Sequence, residues 1–173
     1  MLYFVSGGSA SGKSALAERI CAALPGEHIY IATMPVRNEE DERVVARHHA
    51  LRAGRGFATL EMPGRLTAVP PDAAVLLECL STFTANRMFS GETSDEWEAQ
   101  LWDELQPLLD RPGHTVIVSA DVVSDGVDYG ALTEGYRRVL TGLGVRLCAR
   151  ADCAVEAVCG RAAVRKGTLP KGV

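Results

Sequence analysis

Lys13 and Ser14 close the stretch Gly7-Gly8-Ser9-Ala10-Ser11-Gly12-Lys13-Ser14, which spells G-x-x-x-x-G-K-S. Small residues at such positions let backbone N–H groups close around phosphate oxygens. A helix starting at the same point adds the positive end of its dipole. The lysine of this pattern reaches the β- and γ-phosphates of a nucleoside triphosphate, and the hydroxyl after it ligates Mg²⁺. The context agrees on both sides. Leu2-Tyr3-Phe4-Val5 reads as a buried strand, and Ala15-Leu16-Ala17-Glu18-Arg19-Ile20 begins to look helical. Strand, glycine-rich loop, helix is the arrangement that a phosphate-binding loop requires.

Two other places carry residue types suited to phosphoryl chemistry. Glu78 follows the apolar run Ala73-Ala74-Val75-Leu76-Leu77, which reads as a central parallel strand whose C-terminal end meets the active site. A carboxylate there can hold Mg²⁺ directly or through water, or serve a structural hydrogen bond. The run Ala46-Arg47-His48-His49-Ala50-Leu51-Arg52 sets adjacent histidines between arginines. A neutral imidazole is a good nucleophile near pH 7, and arginines stabilise phosphoryl charge. A solvated histidine pair on a polar helix has the same spelling.

The elements that must position these groups alternate between strand and helix. Pro25-Gly26 breaks the first helix, and His28-Ile29-Tyr30-Ile31-Ala32-Thr33 reads as a second strand. A charged helix opens at Asn38 and runs to about residue 53, its acidic start suiting the helix dipole. Thr59-Leu60-Glu61 fits a short strand, and a helix from Thr82 to Phe89 follows the Glu78 strand. Ser94 or Asp95 is placed to cap the next helix, which extends to Leu109. Thr115-Val116-Ile117-Val118-Ser119 is another buried strand. Residues 131–143 and 146–151 look helical, with Gly142 and Gly144 weakening the join. Residues 154–159 form a further strand beside which residues 163–165 can pair, and residues 166–173 read as a frayed end. The pattern predicts an α/β fold, P-loop NTPase-like, with a mainly parallel β-sheet flanked by helices. It predicts one P-loop nucleotide-binding catalytic domain over residues 1–167 and a C-terminal tail over 168–173.

Composition narrows the function classes. The chain has 173 residues, 47% hydrophobic and 23% charged, which suits a globular protein with a sizeable core. A net charge of −4 offers no overall basic face for nucleic acid. No apolar run approaches a membrane span. The N-terminus enters a strand at once, without the features of a signal peptide, so the expected location is cytoplasmic. Five cysteines, Cys21, Cys79, Cys148, Cys153 and Cys159, make an odd count without a C-x-x-C pair. They read as buried or partly buried thiols.

Taken in order, these pieces resemble the bifunctional adenosylcobinamide kinase/adenosylcobinamide-phosphate guanylyltransferase family of cobalamin biosynthesis. The resemblance runs from Leu2 to about Gly167. It rests on GGSASGKS, Tyr30-Ile31-Ala32-Thr33, the acidic helix ending in Arg47-His48-His49, Thr59-Leu60-Glu61, and Leu77-Glu78-Cys79-Leu80-Ser81 with Asn86. It implies that His48 attacks the α-phosphate of GTP and carries GMP covalently, with His49 as the alternative position. It implies nucleotide contacts at Gly7, Gly8, Ser9, Ala10, Ser11, Gly12, Lys13 and Ser14, and at Ala32, Thr33 and Met34. Further contacts fall on His49, Ala50, Leu51, Arg52, Glu61 and Thr82. Catalytic roles fall on His48, Lys13 and Glu78, and Ser14 and Glu78 are the metal ligands.

The implied reaction phosphorylates the aminopropanol hydroxyl of adenosylcobinamide with ATP or GTP. GMP then passes from GTP to adenosylcobinamide phosphate, and both steps use Mg²⁺. The implied assembly is a homo-oligomer, commonly a trimer. The sequence departs from the family's usual residues at Ala120-Asp121-Val122 (usually Asn-Glu-Val), at Asp128 (a proline), at Gly144-Val145 (Asn-Gln) and at Ala10 (frequently arginine). Two other classes compatible with the pattern are a single-activity P-loop kinase or guanylyltransferase, and a nucleotide-binding paralogue without turnover.

Overall fold

The computed structural model describes residues 1–35, 38, 42, 43, 46, 54, 56–123 and 126–173. Its strands are β1 (Leu2–Gly7), β2 (His28–Ala32), β3 (Phe57–Glu61), β4 (Ala74–Glu78), β5 (His114–Ala120), β6 (Cys153–Val158) and β7 (Arg161–Lys166). The helices are α1 (Lys13–Ala22), α2 (Leu80–Met88), α3 (Trp97–Leu109) and α4 (Ala131–Arg150). The strands form one sheet in the order β3-β2-β4-β5-β1-β6-β7. All neighbours are parallel except β6 and β7.

Alternation along each strand divides the core into two layers. Tyr3 and Val5 of β1, Leu76 of β4 and Val116 and Val118 of β5 meet Leu16, Ala17 and Ile20 of α1. Leu2 and Phe4, Val75 and Leu77, and Ile117 point to the other face, covered by α2, α3 and α4. Because both faces are covered, the inner strands are apolar at nearly every position; Ala74 to Leu77 are fully buried. On α3, Trp97, Leu101, Leu105 and Leu108 recur at helical spacing and form its buried stripe.

Several boundaries differ from the sequence expectation. Residues 131–150 form one continuous helix rather than two. Leu140, Leu143 and Leu147 keep one face buried across the glycines, and that packing outweighs the poor helix propensity of Gly142 and Gly144. Gly142 also lies where a Cβ would fall 2.0 Å from Glu98 Oε2 of α3, so the glycine permits the two helices to approach. Helix α2 begins at Leu80, two residues earlier than expected. Helix α3 begins after Glu96, and the Ser94 hydroxyl accepts from the Glu96 N–H at 3.0 Å instead of occupying the cap position.

The short pairing segment near the C-terminus is a full strand, antiparallel to β6 through the two-residue turn Cys159-Gly160. Both turn residues have positive φ, 48° and 77°, as a type I′ hairpin turn demands. The C-terminal residues are not frayed. Leu169 and Val173 pack against the α1 layer. Cys148 on α4 and Cys159 at the hairpin tip are exposed, contrary to the expectation of buried or partly buried thiols.

Candidate active site

The C-terminal ends of the parallel strands share one edge of the sheet, and the site grows from it. After Gly7 the chain turns through Gly8–Ser11 and enters α1 at Lys13. Gly12, at φ 89°, stands at the N-cap of that helix, a conformation that a side chain would strain. The Ser11 N–H donates to the Gly8 carbonyl at 3.3 Å, and the Leu16 N–H to the Gly12 carbonyl at 3.0 Å. Lys13 Nζ folds back onto the Gly8 carbonyl at 3.1 Å, which holds its charge over the loop. The Ser11 hydroxyl is buried and has no hydrogen-bond partner among the described residues. A buried orphan of this kind costs about 1–3 kcal/mol, and a phosphate oxygen is the group that would satisfy it.

Glu78 comes to the loop from β4, with β5 between its strand and β1. The Ser14 hydroxyl donates to Glu78 Oε1 at 2.7 Å. A hydroxyl and a carboxylate are hard oxygen donors, the set that Mg²⁺ takes together with phosphate oxygens and water. The end of β4 is braced by Thr33, which is fully buried. The Thr33 N–H donates to the Glu78 carbonyl at 3.2 Å. Its hydroxyl accepts from the Cys79 N–H at 2.9 Å and donates to the Glu78 carbonyl at 3.0 Å. The Glu78–Cys79 peptide bond held between these contacts is cis.

Other residues expected at the site lie along the same edge. Ala32 pairs in register with Glu61 on one side and Glu78 on the other. Glu61 is exposed, and Met34 is half-buried just past β2. Thr82, in the first turn of α2, has its hydroxyl 3.2 Å from Cys79 Sγ. The structure therefore brings Gly7 to Ser14, Ala32 to Met34, Glu61, Glu78 and Thr82 to one edge. His48, His49, Ala50, Leu51 and Arg52 lie outside the described residues.

Three contributors were not singled out as site residues from sequence. Asn86 donates to the Thr33 carbonyl at 2.6 Å and the Pro63 carbonyl at 2.9 Å, tying α2 to the end of β2. Gly160, at the tip of the β6–β7 hairpin, donates its N–H to the Ser11 carbonyl at 2.8 Å and braces the loop from outside. The x-Gly pair between two apolar runs was the available signal for that hairpin. The Asp121 N–H donates to the Gly7 carbonyl at 2.9 Å, extending the β1–β5 ladder past the sheet.

Burial removes two groups from acid–base work at neutral pH, one of them beside the site. The Tyr136 phenol is pushed up to about 12 by desolvation, with Cys79 adding to the effect, and it donates to the Ser81 carbonyl at 3.1 Å. Cys21, buried on the last turn of α1 away from the loop, is likewise raised to about 12 by desolvation. The electrostatics at the loop come instead from Lys13, the start of α1 and Glu78.

A glycine-rich loop between strand and helix, its serine hydrogen-bonded to a strand-end carboxylate, defines a P-loop nucleotide-binding protein. The mostly parallel sheet agrees. A solved ATPase of the type III secretion system of pathogenic bacteria overlays with a TM-score of 0.53 over 95% of this chain at 15% identity. The overlap spans 57% of that ATPase and speaks to the fold alone. Within this class, the chain belongs to the cobinamide kinase / cobinamide phosphate guanyltransferase family, whose model matches residues 3–164, and it is a transferase. It is 31% identical over 169 residues to the bifunctional adenosylcobalamin biosynthesis protein CobU of Salmonella typhimurium, covering 88% of this chain and 92% of that one. It is also 31% identical over 137 residues to the bifunctional adenosylcobalamin biosynthesis protein CobP of Pseudomonas aeruginosa, covering 76% and 78%. Among the described residues, no helix is long and apolar enough to cross a membrane.

Proposed function

We propose that this chain performs both half-reactions of cobalamin biosynthesis suggested by its family and relatives, on adenosylcobinamide, with residues 1–167 as the catalytic unit. The observation that carries the nucleotide half is the Ser14–Glu78 hydrogen bond beside a loop whose buried Ser11 hydroxyl has no hydrogen-bond partner among the described residues. In the kinase step, ATP or GTP binds with its β- and γ-phosphates against Gly7 to Lys13. Lys13 leaves the Gly8 carbonyl for phosphate oxygens, a charge-assisted exchange. Ser14 and Glu78 are the residues that would hold Mg²⁺, which supplies neutralisation of phosphate charge when bound. The aminopropanol hydroxyl oxygen bonds to the γ-phosphorus, and the nucleoside diphosphate leaves.

In the second step the imidazole of His48 bonds to the α-phosphorus of GTP, and pyrophosphate leaves. A phosphate oxygen of adenosylcobinamide phosphate then displaces His48 and forms adenosylcobinamide-GDP. Splitting the transfer in two suits a nucleophile that is neutral near pH 7. Ala32 to Met34, His49 to Arg52, Glu61 and Thr82 contact the guanine nucleotide in this reading. The enzyme works in the cytoplasm, as a homo-oligomer of trimeric type.

The test is incubation of the purified chain with GTP, Mg²⁺ and adenosylcobinamide, followed by mass spectrometry of products and protein. The expected result is adenosylcobinamide phosphate, adenosylcobinamide-GDP and a protein species heavier by one guanylyl group. Phosphorylated corrinoid without guanylylated protein would reduce the function to a kinase, and an unchanged corrinoid would overturn it.

A further inference from the structure

A slot of about 370 Å³ opens beside the phosphate loop, on the sheet face away from α1. Phe4 and Ser6 of β1, Ser119 of β5 and Glu156 of β6 form its floor, and α4 roofs it at Thr141 and Gly144. Gly144 leaves the roof open: a Cβ there would stand 3.9 Å from Phe4 Cζ, at ordinary contact distance. One end reaches Gly7, where the phosphate loop begins, and the other reaches Ala120 to Val123. Asp121 is held at that junction. Its N–H donates to the Gly7 carbonyl, and its Oδ1 accepts from the Val123 N–H at 3.1 Å.

We propose that this slot receives the hydroxyl-bearing amide arm of the cobinamide acceptor, and that Asp121 accepts the hydroxyl proton in the kinase step. The proposal rests on the kinase reading above and adds where the acceptor sits and which group serves as base. Charge is the first argument. Among the described residues, the lining carries two carboxylates, Asp121 and Glu156, and no lysine, arginine or histidine. Glu156 is paired with Arg165, whose Nη2 is 2.6 Å from its Oε2. Such a lining repels phosphate and suits an uncharged group, so the slot is unsuited to the nucleotide's own phosphates.

Size and wall chemistry are the second argument. The volume is at the small end of ligand pockets, which run about 300–1,000 Å³. That is room for a short arm of a large acceptor rather than for a macrocycle. Phe4 and Leu140 offer contact to methylene and methyl groups, and the hydroxyls of Ser6 and Ser119 can meet an amide.

Position is the third. Ser14, Glu78, Thr33 and Thr82 extend from the loop toward β4, β2 and α2, whereas the slot lies over β1, β5 and β6 under α4. An acceptor in the slot thus reaches the loop from a different side than those groups, as a displacement at phosphorus with attacking and leaving oxygens in line requires. The acceptor oxygen bonds to the γ-phosphorus while the bond from that phosphorus to the β-bridging oxygen breaks. The nucleoside diphosphate departs with the bonding pair, and the hydroxyl proton passes to the Asp121 carboxylate and then to water.

The test uses the full chain loaded with a non-hydrolysable ATP analogue, with cobinamide binding followed by its visible absorbance in equilibrium dialysis. Gly144→Leu, which fills the slot, is expected to weaken cobinamide binding about tenfold or more while nucleotide affinity stays unchanged. Thr141→Leu, at an exposed roof position, repeats the test should Gly144→Leu fail to fold. Asp121→Asn is expected to bind cobinamide near normally but to lower kcat for phosphorylation by about 100-fold, the low end for loss of a general base. Normal cobinamide binding by the folded slot-filling variant would overturn the slot, and a wild-type kcat in Asp121→Asn would overturn the base. Failure of the kinase reading looks different: the wild-type chain itself would then bind no cobinamide.

Discussion

The Ser14 hydroxyl and the Glu78 carboxylate meet at 2.7 Å, joining the first turn of α1 to the end of β4 across the intervening strand β5. The contact places two oxygen donors side by side before any nucleotide arrives. Glu78→Gln keeps the shape and removes the charge. It is expected to lower both activities, with partial recovery as Mg²⁺ is raised, because a weakened metal site is refilled by mass action. A rate that stays at the wild-type level throughout a Mg²⁺ titration would leave Glu78 with a structural role only.

Thr33 connects β2 to the same strand end from within the core. Thr33→Val keeps the volume and deletes the hydroxyl that accepts from Cys79 N–H. The stranded buried donor is expected to cost about 1–3 kcal/mol in urea unfolding. Thr33→Ser should recover most of that loss. Equal stability of Val and Ser variants would show that the hydroxyl does not hold the strand end.

His48 separates guanylyl transfer from plain kinase chemistry. A phosphoramidate on histidine survives alkali and breaks in acid. The wild-type chain is therefore expected to take label from [α-³²P]GTP, retain it in base and lose it in acid. His48→Ala should abolish the label and GMP transfer yet retain at least part of the kinase activity, since γ-phosphoryl transfer to a hydroxyl needs no covalent enzyme intermediate. Label on His49 would move the nucleophile by one residue. Absence of an acid-labile adduct in active enzyme would remove the guanylyltransferase mechanism.

His114, at the start of β5, has its pKa lowered from the ordinary 6.5 by burial first, then by the N-terminal ammonium and Arg111. Its Nδ1 is buried without a hydrogen-bond partner among the described residues. With the folded pKa below the unfolded one, the unfolded chain takes the proton first as pH falls. The contribution of the neutral ring is complete above pH 6.5 and declines as pH drops from there through the folded pKa. His114→Gln is expected to flatten the stability profile over that interval relative to wild type, by denaturant unfolding at a series of pH values. Parallel profiles would mean that His114 titrates alike in both states.

The phosphate loop, the central strands and the carboxylate at residue 78 were legible because each has a local spelling: a glycine pattern, an uninterrupted apolar run, an acid at its end. Contacts made across the fold were not. Nothing adjacent to Thr33 indicates that its hydroxyl will receive Cys79 N–H, because the two are joined only when β2 and β4 pair. The continuity of α4 was hidden for a related reason: Gly142 and Gly144 argue for a break, and the leucines that overrule them act through packing on the sheet. The Cys159-Gly160 turn was within reach of sequence reasoning, but its grip on Ser11 was not, since it depends on β6 lying beside β1.

The position of β1 sets an order on the birth of the molecule. It is made before the other six strands of this sheet, yet both of its neighbours, β5 and β6, come from much later in the sequence. The hairpin tip that steadies Ser11 follows later still. A nascent chain stopped before His114 carries the whole glycine-rich motif and neither of the strands that flank β1. Nucleotide capture is therefore a late event in synthesis, and a ribosome stalled midway holds the motif without its site.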